Sequence, residues 1–203
     1  DMNAVRSVSQ RAEELGFESL WTSSGGLGST PNLEPLGLLN YVAGLTSTVR
    51  LGVSVLVFPL YSPVNLAKSF ASLDHISNGR AIIGLGLGTG NEPYEAFGLT
   101  RANRVKRFED GIDIMKSLWT QPITNYRNEF LRLEDASMEP SPVQRPHLPI
   151  WLGGGHANVL RRAIRTTDGW MGAGASSNAD FKERVLSIKD MLEETGRDPK
   201  TFT

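Results

Sequence analysis

Two spacings of apolar residues alternate along the chain, and together they predict strands joined by helices. Apolar side chains recur every three to four positions in six segments, which predicts helices over 2–15, 34–45, 62–78, 102–119, 156–166 and 177–195. Short apolar runs between them predict five strands, over 18–22, 49–58, 80–90, 150–152 and 169–171. Strands joined by helices run parallel, and two architectures fit this order: an open doubly wound sheet and a (β/α)8 barrel.

The spacing of apolar residues defines one face on each of two predicted helices. In the first helix, the apolar face consists of Val5, Val8, Ala12 and Leu15. In the helix over 102–119, the residues expected to point inward are Val105, Phe108, Ile112 and Met115. The segment over 126–133 predicts a small hairpin, and the run over 140–149, with its four prolines, predicts an extended connector.

Glycines at every second position mark the strand over 80–90. They occupy positions 84, 86, 88 and 90, so one face of this strand lacks side chains. A bare face weakens a strand unless another group must approach its backbone closely. One interpretation is a ligand, whose flat ring or phosphate lies against the strand. A second is a neighbouring element that packs tightly against the strand, and a third is a bend of the strand at a barrel corner. The glycines alone leave these interpretations open.

A second glycine run, over 153–155, leads directly into the helix that starts at His156. Helix N-termini offer N–H donors and the positive end of the dipole, so this run favours a phosphate cradle with His156 as an added donor. A tight turn is the alternative. In both architectures ligands bind beyond the carboxyl ends of the strands, which selects the loops over 23–32, 58–62, 88–94, 153–158 and 172–177.

Composition limits the classes of partner. The formal net charge of −1 leaves no electrostatic footprint for nucleic acid or an anionic membrane. The chain has no cysteine, which excludes disulfides, thiolate nucleophiles and cysteine metal sites and fits the cytoplasmic location that we expect. No apolar run approaches the roughly 20 residues needed to cross a bilayer. A small-molecule substrate is therefore the expected partner.

Several catalytic motifs are missing from the sequence. Neither glycine run has the G-x-G-x-x-G register or a following Walker lysine, and no G-x-S-x-G elbow occurs. The three histidines lack partners at metal-ligand spacing, so we predict no metal site. We expect a structural role for His75 and a surface position for His147, and Asn91, Glu92 and Tyr94 either position a substrate or form a solvated loop.

These segments together resemble the bacterial luciferase-like oxidoreductases, and within them the branch that uses the deazaflavin coenzyme F-420. The resemblance rests on the segments over 12–21, 49–56, 62–68, 73–92, 142–155 and 168–171. Each motif is weak alone, but together they cover almost the whole chain.

The resemblance implies a (β/α)8 TIM barrel with the cofactor ring against the ends of its third and fourth strands. It also implies a non-proline cis peptide bond at Ser54-Val55 beside the ring. The other residues that it assigns to the cofactor are Thr89, Gly90 and Asn91 near the ring, and Gly154, Gly155 and His156 at the phosphate. The implied chemistry is hydride transfer between the deazaflavin coenzyme and a small organic substrate, with FMN as the alternative cofactor.

Two departures from the family pattern change these expectations. Ser24 and Gly25 stand where many relatives carry an acidic residue and a histidine, so no catalytic residue is assigned, and Asn91 replaces a glutamate of glucose-phosphate-type relatives. Only five strands are recognised, with the first and last strands of a barrel not seen. We therefore expect a single incomplete barrel domain over 1–203, a fragment or a shortened form, whose open edge favours a homodimer.

Three functions remain open at this point. The first is a deazaflavin-dependent oxidoreductase, the second is an FMN-dependent luciferase-like monooxygenase, and the third is a non-catalytic flavin-binding or scaffold protein. Absence of the usual proton donor and of a complete barrel motivates the third.

Overall fold

The computed structural model describes residues 1–24, 27, 31–89, 91–172 and 176–203. Its helices are α1 (Met2–Glu14), α2 (Pro35–Ala43), α3 (Pro63–Ile76), α4 (Arg104–Thr120), α5 (Ala157–Thr166) and α6 (Asn178–Thr195). Its strands are β1 (Ser19–Thr22), β2 (Arg50–Val53), β3 (Leu56–Val57), β4 (Ala81–Gly86), β5 (Thr124–Arg127), β6 (Arg132–Ala136), β7 (Ile150–Gly153) and β8 (Gly169–Met171). Within these ranges, every helix is too short or too polar to cross a membrane.

One parallel sheet organises the chain, as the order of strands and helices predicts. Its strands lie in the order β1, β2, β4, β7, β8, and β3 also pairs with β4. At the β8 edge of the sheet, the N–H of Thr203 donates to the carbonyl of Asp168 (3.0 Å), and the carbonyl of Thr203 accepts the N–H of Trp170 (2.8 Å). Thr203 therefore pairs with the outer side of β8. The predicted hairpin is also present, formed by β5 and β6. Since the sheet is parallel, the carboxyl ends of its strands lie at one edge.

The predicted strand over 49–58 is wrong as a single element. β2 ends at Val53 and β3 begins at Leu56, and the intervening Ser54-Val55 peptide bond is cis, as the family resemblance implies. Both pieces remain beside β4, because Leu51 pairs with Ala81 in the first and Leu56 with Leu85 in the second. A run of apolar residues cannot reveal such a break, since both sides of it are buried strand.

The predicted helix faces are only partly correct. Val105, which is expected to point inward, is 37% exposed, and Val8, on the apolar face of α1, is 66% exposed. Val105 lies in the first turn of α4, whereas the buried residues of that helix begin at Phe108. Periodicity identifies an apolar face of a helix, but it does not say whether another element covers it.

The connector before β7 is held by a buried carboxylate. Asp74, which is fully buried, accepts hydrogen bonds from the backbone N–H (2.9 Å) and the side-chain amide (2.7 Å) of Gln144. His75 also has the structural role expected, since its Nε2 lies 2.8 Å from the carbonyl oxygen of Ser141. The surface position expected for His147 is wrong, because its side chain is only 12% exposed and stacks on Trp119.

Glu13, near the end of α1, fastens the loop that precedes β2. Its Oε1 accepts the backbone N–H groups of Ser47 (2.8 Å), Thr48 (2.6 Å) and Val49 (3.0 Å). Partial burial alone would raise the pKa of Glu13, but the hydrogen bonds from Thr48, Val49 and Ser47 outweigh it and lower the pKa from 4.5 to about 2.

We expect Glu13→Gln to lower the free energy of unfolding by about 1 kcal/mol near neutral pH, which is below the roughly 1.5–3 kcal/mol typical of hydrogen bonds to a charged group because the carboxylate is partly solvated. A carboxyl group with a depressed folded-state pKa stabilises the fold above its unfolded pKa of 4.5, and this stabilisation disappears as the pH falls toward about 2. Urea unfolding of both proteins at several pH values should give stabilities that converge in acid. A difference that stays constant with pH would contradict this assignment.

Candidate functional site

A cleft of about 490 Å³ opens at the carboxyl edge of the sheet, where β3, β4, β7 and β8 end. Its volume is typical of small-molecule pockets, which span roughly 300–1,000 Å³. It joins the loop after β4 to the glycine run after β7, as the shared strand edge predicts. The residues that line it are Ser24, Ser54, Val55, Val57, Gly86, Leu87, Gly88, Thr89, Glu92, Gly153, Gly154, Val159, Met171 and Gly172.

The bare face of β4 is occupied by the protein itself at two of its glycines. A Cβ on Gly84 would lie 2.0 Å from the carbonyl oxygen of Val53, and one on Gly86 would lie 2.6 Å from Cγ2 of Val55. Tight packing is therefore the correct interpretation for these two positions. The cleft begins where β4 ends, so a close approach by a ligand concerns the loop that follows Gly86.

The side chain of Val55 fills the space beside Gly86 and Gly153. Its Cγ2 faces Gly86 of β4, and its Cγ1 would lie 2.7 Å from a Cβ on Gly153 of β7. Val55 thus occupies the space between the ends of two neighbouring strands and forms the floor of the cleft. Ser54, on the other side of the cis peptide bond, is exposed and also lines the cleft.

The loop after β4 is folded around a carboxylate. Glu92 accepts hydrogen bonds from the backbone N–H (2.6 Å) and the hydroxyl (3.1 Å) of Thr89. Gly88 has a φ of +72°, and a Cβ there would lie 2.4 Å from the Glu92 carboxylate, so only glycine fits at this position. Among the described residues that line the cleft, Glu92 is the one titratable side chain.

Asn91, Gly90 and Tyr94 are three residues that the sequence offers as candidates for the site, and none of them is among the described residues that line the cleft. Asn91 is exposed and lies outside the cleft lining, and its N–H donates to the hydroxyl of Thr89 (3.4 Å). Gly90 falls outside the described residues. Tyr94 is 5% exposed and also lies outside the lining, and burial, reinforced by the charge of Glu92, raises its pKa. The hydroxyl of Tyr94 therefore stays protonated to higher pH than that of an exposed tyrosine.

The glycine run after β7 divides between two cavities. Gly153 and Gly154 line the cleft, and Gly154 has a φ of +133°, a conformation that favours glycine. Gly155 lines a neighbouring cavity of about 260 Å³. The two cavities therefore meet at the peptide unit that joins Gly154 to Gly155.

His156 acts as the cap of α5 and belongs to the lining of neither cavity. Its Nδ1 accepts the backbone N–H of Asn158 (3.2 Å), which places the proton of the neutral ring on Nε2. The N–H of Val159 donates to the carbonyl of His156 (2.8 Å). An anion at this helix would therefore use N–H groups that precede Asn158, together with Nε2 of His156.

Two residues near this turn were not identified from the sequence. The indole Nε1 of Trp170 donates to the carbonyl of Gly154 (2.6 Å), and the guanidinium of Arg184 lies against Gly155, where a Cβ would meet it at 2.6 Å. Arg184 also donates to the hydroxyl of Ser176. Trp170 lies in the 168–171 segment of the family resemblance, but no local pattern links either residue to the turn, because β8 and α6 reach it only through the fold.

The position after β1 contributes a hydroxyl group to the cleft. Ser24 lines the cleft, and its hydroxyl lies 3.4 Å from that of Tyr61. Gly25, the neighbouring departure from the family pattern, falls outside the described residues. No acidic residue or histidine of this segment is available as a proton donor, since the sequence places Ser24 and Gly25 there.

Two curated relatives share about a third of their residues with this chain. An uncharacterised protein of Mycobacterium tuberculosis is 32% identical over 167 residues, which cover 82% of this chain and 58% of the relative. The F420-dependent glucose-6-phosphate dehydrogenase of Kineococcus radiotolerans is 33% identical over 199 residues, which cover 92% of this chain and 57% of the relative. The chain thus spans a little over half the length of these relatives.

The fold is shared with solved structures. The monooxygenase RslO1 from Streptomyces bottropensis superposes with a TM-score of 0.85 at 24% identity, over 96% of this chain and 60% of that one. This likeness confirms the predicted luciferase-like (β/α) barrel, of which the chain contains a part. The family model for luciferase-like monooxygenases matches residues 1–203, and the chain therefore belongs to the luciferase-like monooxygenase family.

Proposed function

We propose that this chain forms the cofactor-binding part of an oxidoreductase that transfers hydride between a deazaflavin coenzyme and a small organic substrate. The observation that carries the proposal is the single cleft shared by Val55, the loop after β4 and the Gly153–Gly154 turn. The F420 dependence named for the Kineococcus relative supports the choice of cofactor.

The walls of the cleft fit a flat ring that carries a phosphate. Val55, Leu87 and Met171 supply apolar surface, while Gly88 and Gly154 line the cleft without side chains of their own. The carboxylate of Glu92 belongs to the loop after β4, and the guanidinium of Arg184 lies at Gly155. An anionic group is therefore better accommodated at the Gly155 turn than at the Glu92 loop.

We assign the ring to one set of residues and the phosphate to another. The ring is held by Ser54, Val55 and Thr89, which line the cleft. Gly90 and Asn91, which the family resemblance also assigns to the ring, lie outside the described residues and outside the described lining, respectively. The phosphate is held by Gly154, Gly155 and His156, and Arg184 adds a cation that sequence reasoning missed. The Nε2 proton of His156 makes this residue a donor toward a phosphate oxygen.

The bound cofactor supplies a ring that accepts or releases a hydride. The chain supplies a floor at Val55 and apolar walls at Val57, Leu87 and Val159 that keep water from the ring. Ser54 and Thr89 offer hydroxyl groups at the rim of the same cleft. No residue of the described lining is assigned as the proton donor, because the carboxylate of Glu92 already accepts two hydrogen bonds from Thr89.

The alternative within the same fold is an FMN-dependent monooxygenase. Membership of the luciferase-like monooxygenase family and the structural likeness to the monooxygenase RslO1 make this the second candidate. A third candidate, a protein that binds the cofactor without turnover, follows from the missing proton donor at Ser24.

Titration of the purified chain with coenzyme F420 and with FMN tests the proposal. We expect micromolar binding of the deazaflavin and weaker binding of FMN, followed by absorbance and by quenching of tryptophan fluorescence. The reverse order, with flavin-dependent oxygen consumption in the presence of an organic substrate, favours the monooxygenase. Binding without hydride transfer to or from any donor tested supports the non-catalytic alternative, and failure to bind either cofactor overturns the proposal.

A homodimer is part of the proposal. Among the described strands, β1 pairs only with β2, and its other edge can pair with the same edge of a second copy. Leu15 and Phe17, which immediately precede this strand, are 58% and 59% exposed and add apolar surface. Light scattering after size-exclusion chromatography should give a mass twice the 22.2 kDa of one chain. A mass of one chain at every protein concentration would contradict the dimer.

A further inference from the structure

We propose that Trp170 is a positioning residue that holds the Gly154–Gly155 peptide unit in the orientation that receives the cofactor phosphate. The inference rests on the proposed function, because it concerns the phosphate end of the same cleft. It adds a residue from β8 to a site that the sequence assigns only to the glycine run and His156.

The geometry of Trp170 fixes the carbonyl of Gly154. The indole Nε1 donates to this oxygen at 2.6 Å, and Trp170 as a whole residue is only 8% exposed. The N–H of Gly154 donates to the carbonyl of Met171 at 3.4 Å. Both polar groups of Gly154 are thus tied to β8, one through a side chain and one through the backbone.

Phe181 holds the indole in place from the opposite element. Its ring stacks on Trp170 with a centroid distance of 5.4 Å and an interplanar angle of 29°. The same ring lies against Gly172, where a Cβ would meet it at 2.8 Å. Trp170 is therefore fixed between the turn that it bonds and the first turn of α6.

The orientation of one carbonyl determines the orientation of the next N–H. A peptide unit is planar, and in the trans form its C=O and N–H point in opposite directions. The bond from Trp170 to the Gly154 carbonyl therefore directs the N–H of Gly155 away from the indole. Arg184 lies against Gly155, so a cation is present beside the residue whose N–H is oriented.

Without the indole bond, this peptide unit has little to restrain it. Two successive glycines have wide conformational freedom, and Gly154 already has a φ of +133°. A rotated peptide unit would present a carbonyl oxygen to the phosphate in place of a donor. Loss of the bond should therefore weaken phosphate binding while leaving the apolar floor at Val55 unchanged.

The test compares ligands with and without the phosphate in a variant that lacks the indole donor. Trp170→Phe keeps the aromatic stack on Phe181 and removes Nε1. We expect it to weaken the binding of FMN about five- to tenfold while riboflavin, which has the same ring and no phosphate, binds within about twofold of the parent. For the deazaflavin, the matched pair is coenzyme F420 and its phosphate-free deazaflavin core.

Trp119→Phe is the matched control. The Nε1 of Trp119 also donates to a backbone carbonyl, that of Ala67 at 3.0 Å, and the residue is buried in the core away from the cleft lining. This variant should lose stability without changing the ratio of FMN to riboflavin affinity. An unchanged ratio of FMN to riboflavin affinity in Trp170→Phe, whether neither ligand or both ligands equally bind more weakly, would overturn the proposal.

The outcomes separate this inference from the proposed function. If the parent chain binds no phosphate-bearing cofactor, the proposed function fails and the role of Trp170 fails with it. If the parent binds and Trp170→Phe leaves the ratio unchanged, only the role of Trp170 fails. Should the variant not fold, hydrogen exchange of the parent decides. Slow exchange of the Trp170 indole N–H, together with protection of the Gly155 N–H by FMN but not by riboflavin, supports the role, whereas fast exchange of the indole N–H or equal protection by the two ligands overturns it.

Discussion

Gly86→Ala should reduce cofactor affinity at least tenfold, about 1.4 kcal/mol or more, while leaving the protein folded. The added Cβ would lie 2.6 Å from Cγ2 of Val55, which is closer than such atoms approach in folded proteins. Val55 is stiff because it branches at Cβ, and its other methyl group faces Gly153 at the end of β7. The side chain therefore has one direction in which to move, toward the cleft that it lines. Titration with the coenzyme and with FMN measures the loss.

Two further variants separate this effect from general damage. Gly44→Ala adds a Cβ whose nearest neighbour is the carbonyl oxygen of Tyr41 at 3.6 Å, an ordinary contact, and should bind cofactor like the parent. Val55→Ala combined with Gly86→Ala removes the methyl groups that clash and should restore part of the affinity. If the double variant binds no better than Gly86→Ala alone, displacement of Val55 is not the cause of the loss.

The alternation of strands and helices could be predicted from the sequence because it depends on local spacing and caps. The strand over Gly169–Met171 matches its prediction, and the helices after Ser62 and Ser177 begin where their caps and turn residues indicate. The meeting of the two glycine runs at one cleft also follows, because parallel strands bring their carboxyl ends to the same edge.

The remaining features depend on which elements face each other, and no local pattern contains that information. The glycines at 84 and 86 could accommodate either a ligand or a neighbouring strand, and in the fold the carbonyl of Val53 fills the space at Gly84 and the side chain of Val55 fills it at Gly86. The break after Val53 has no compositional mark, and only the family resemblance indicated it. Trp170 and Arg184 reach the Gly154–Gly155 turn from elements that follow it in the chain, so their contacts are visible only in the fold.

The buried guanidinium of Arg80 carries the second large expected effect. It lies in the turn that leads into β4, at the amino end of the strand and so at the edge opposite the cleft, and is 8% exposed. Burial lowers the pKa of Arg80, and the charge of Glu13 opposes that shift. Its hydrogen bonds, each between 2.6 and 3.1 Å, go to the carbonyl oxygens of Ser77, Val49, Ala43 and Thr46 and to the hydroxyl of Thr46.

We expect Arg80→Met to lower the free energy of unfolding by roughly 3–5 kcal/mol, because several buried carbonyl groups lose their donor at once. Arg80→Lys should lose somewhat less, since an ammonium group keeps the charge but cannot reproduce the planar fork. Arg11→Met is the control, because its ion pair with Glu14 is about two-thirds exposed and should contribute little. Denaturant unfolding measures all three, and cofactor affinity of the folded fraction should stay at the parent value because the cleft lies at the other edge of the sheet. An unfolding midpoint for Arg80→Met within the range of the Arg11→Met control would mean that water replaces the guanidinium at little cost.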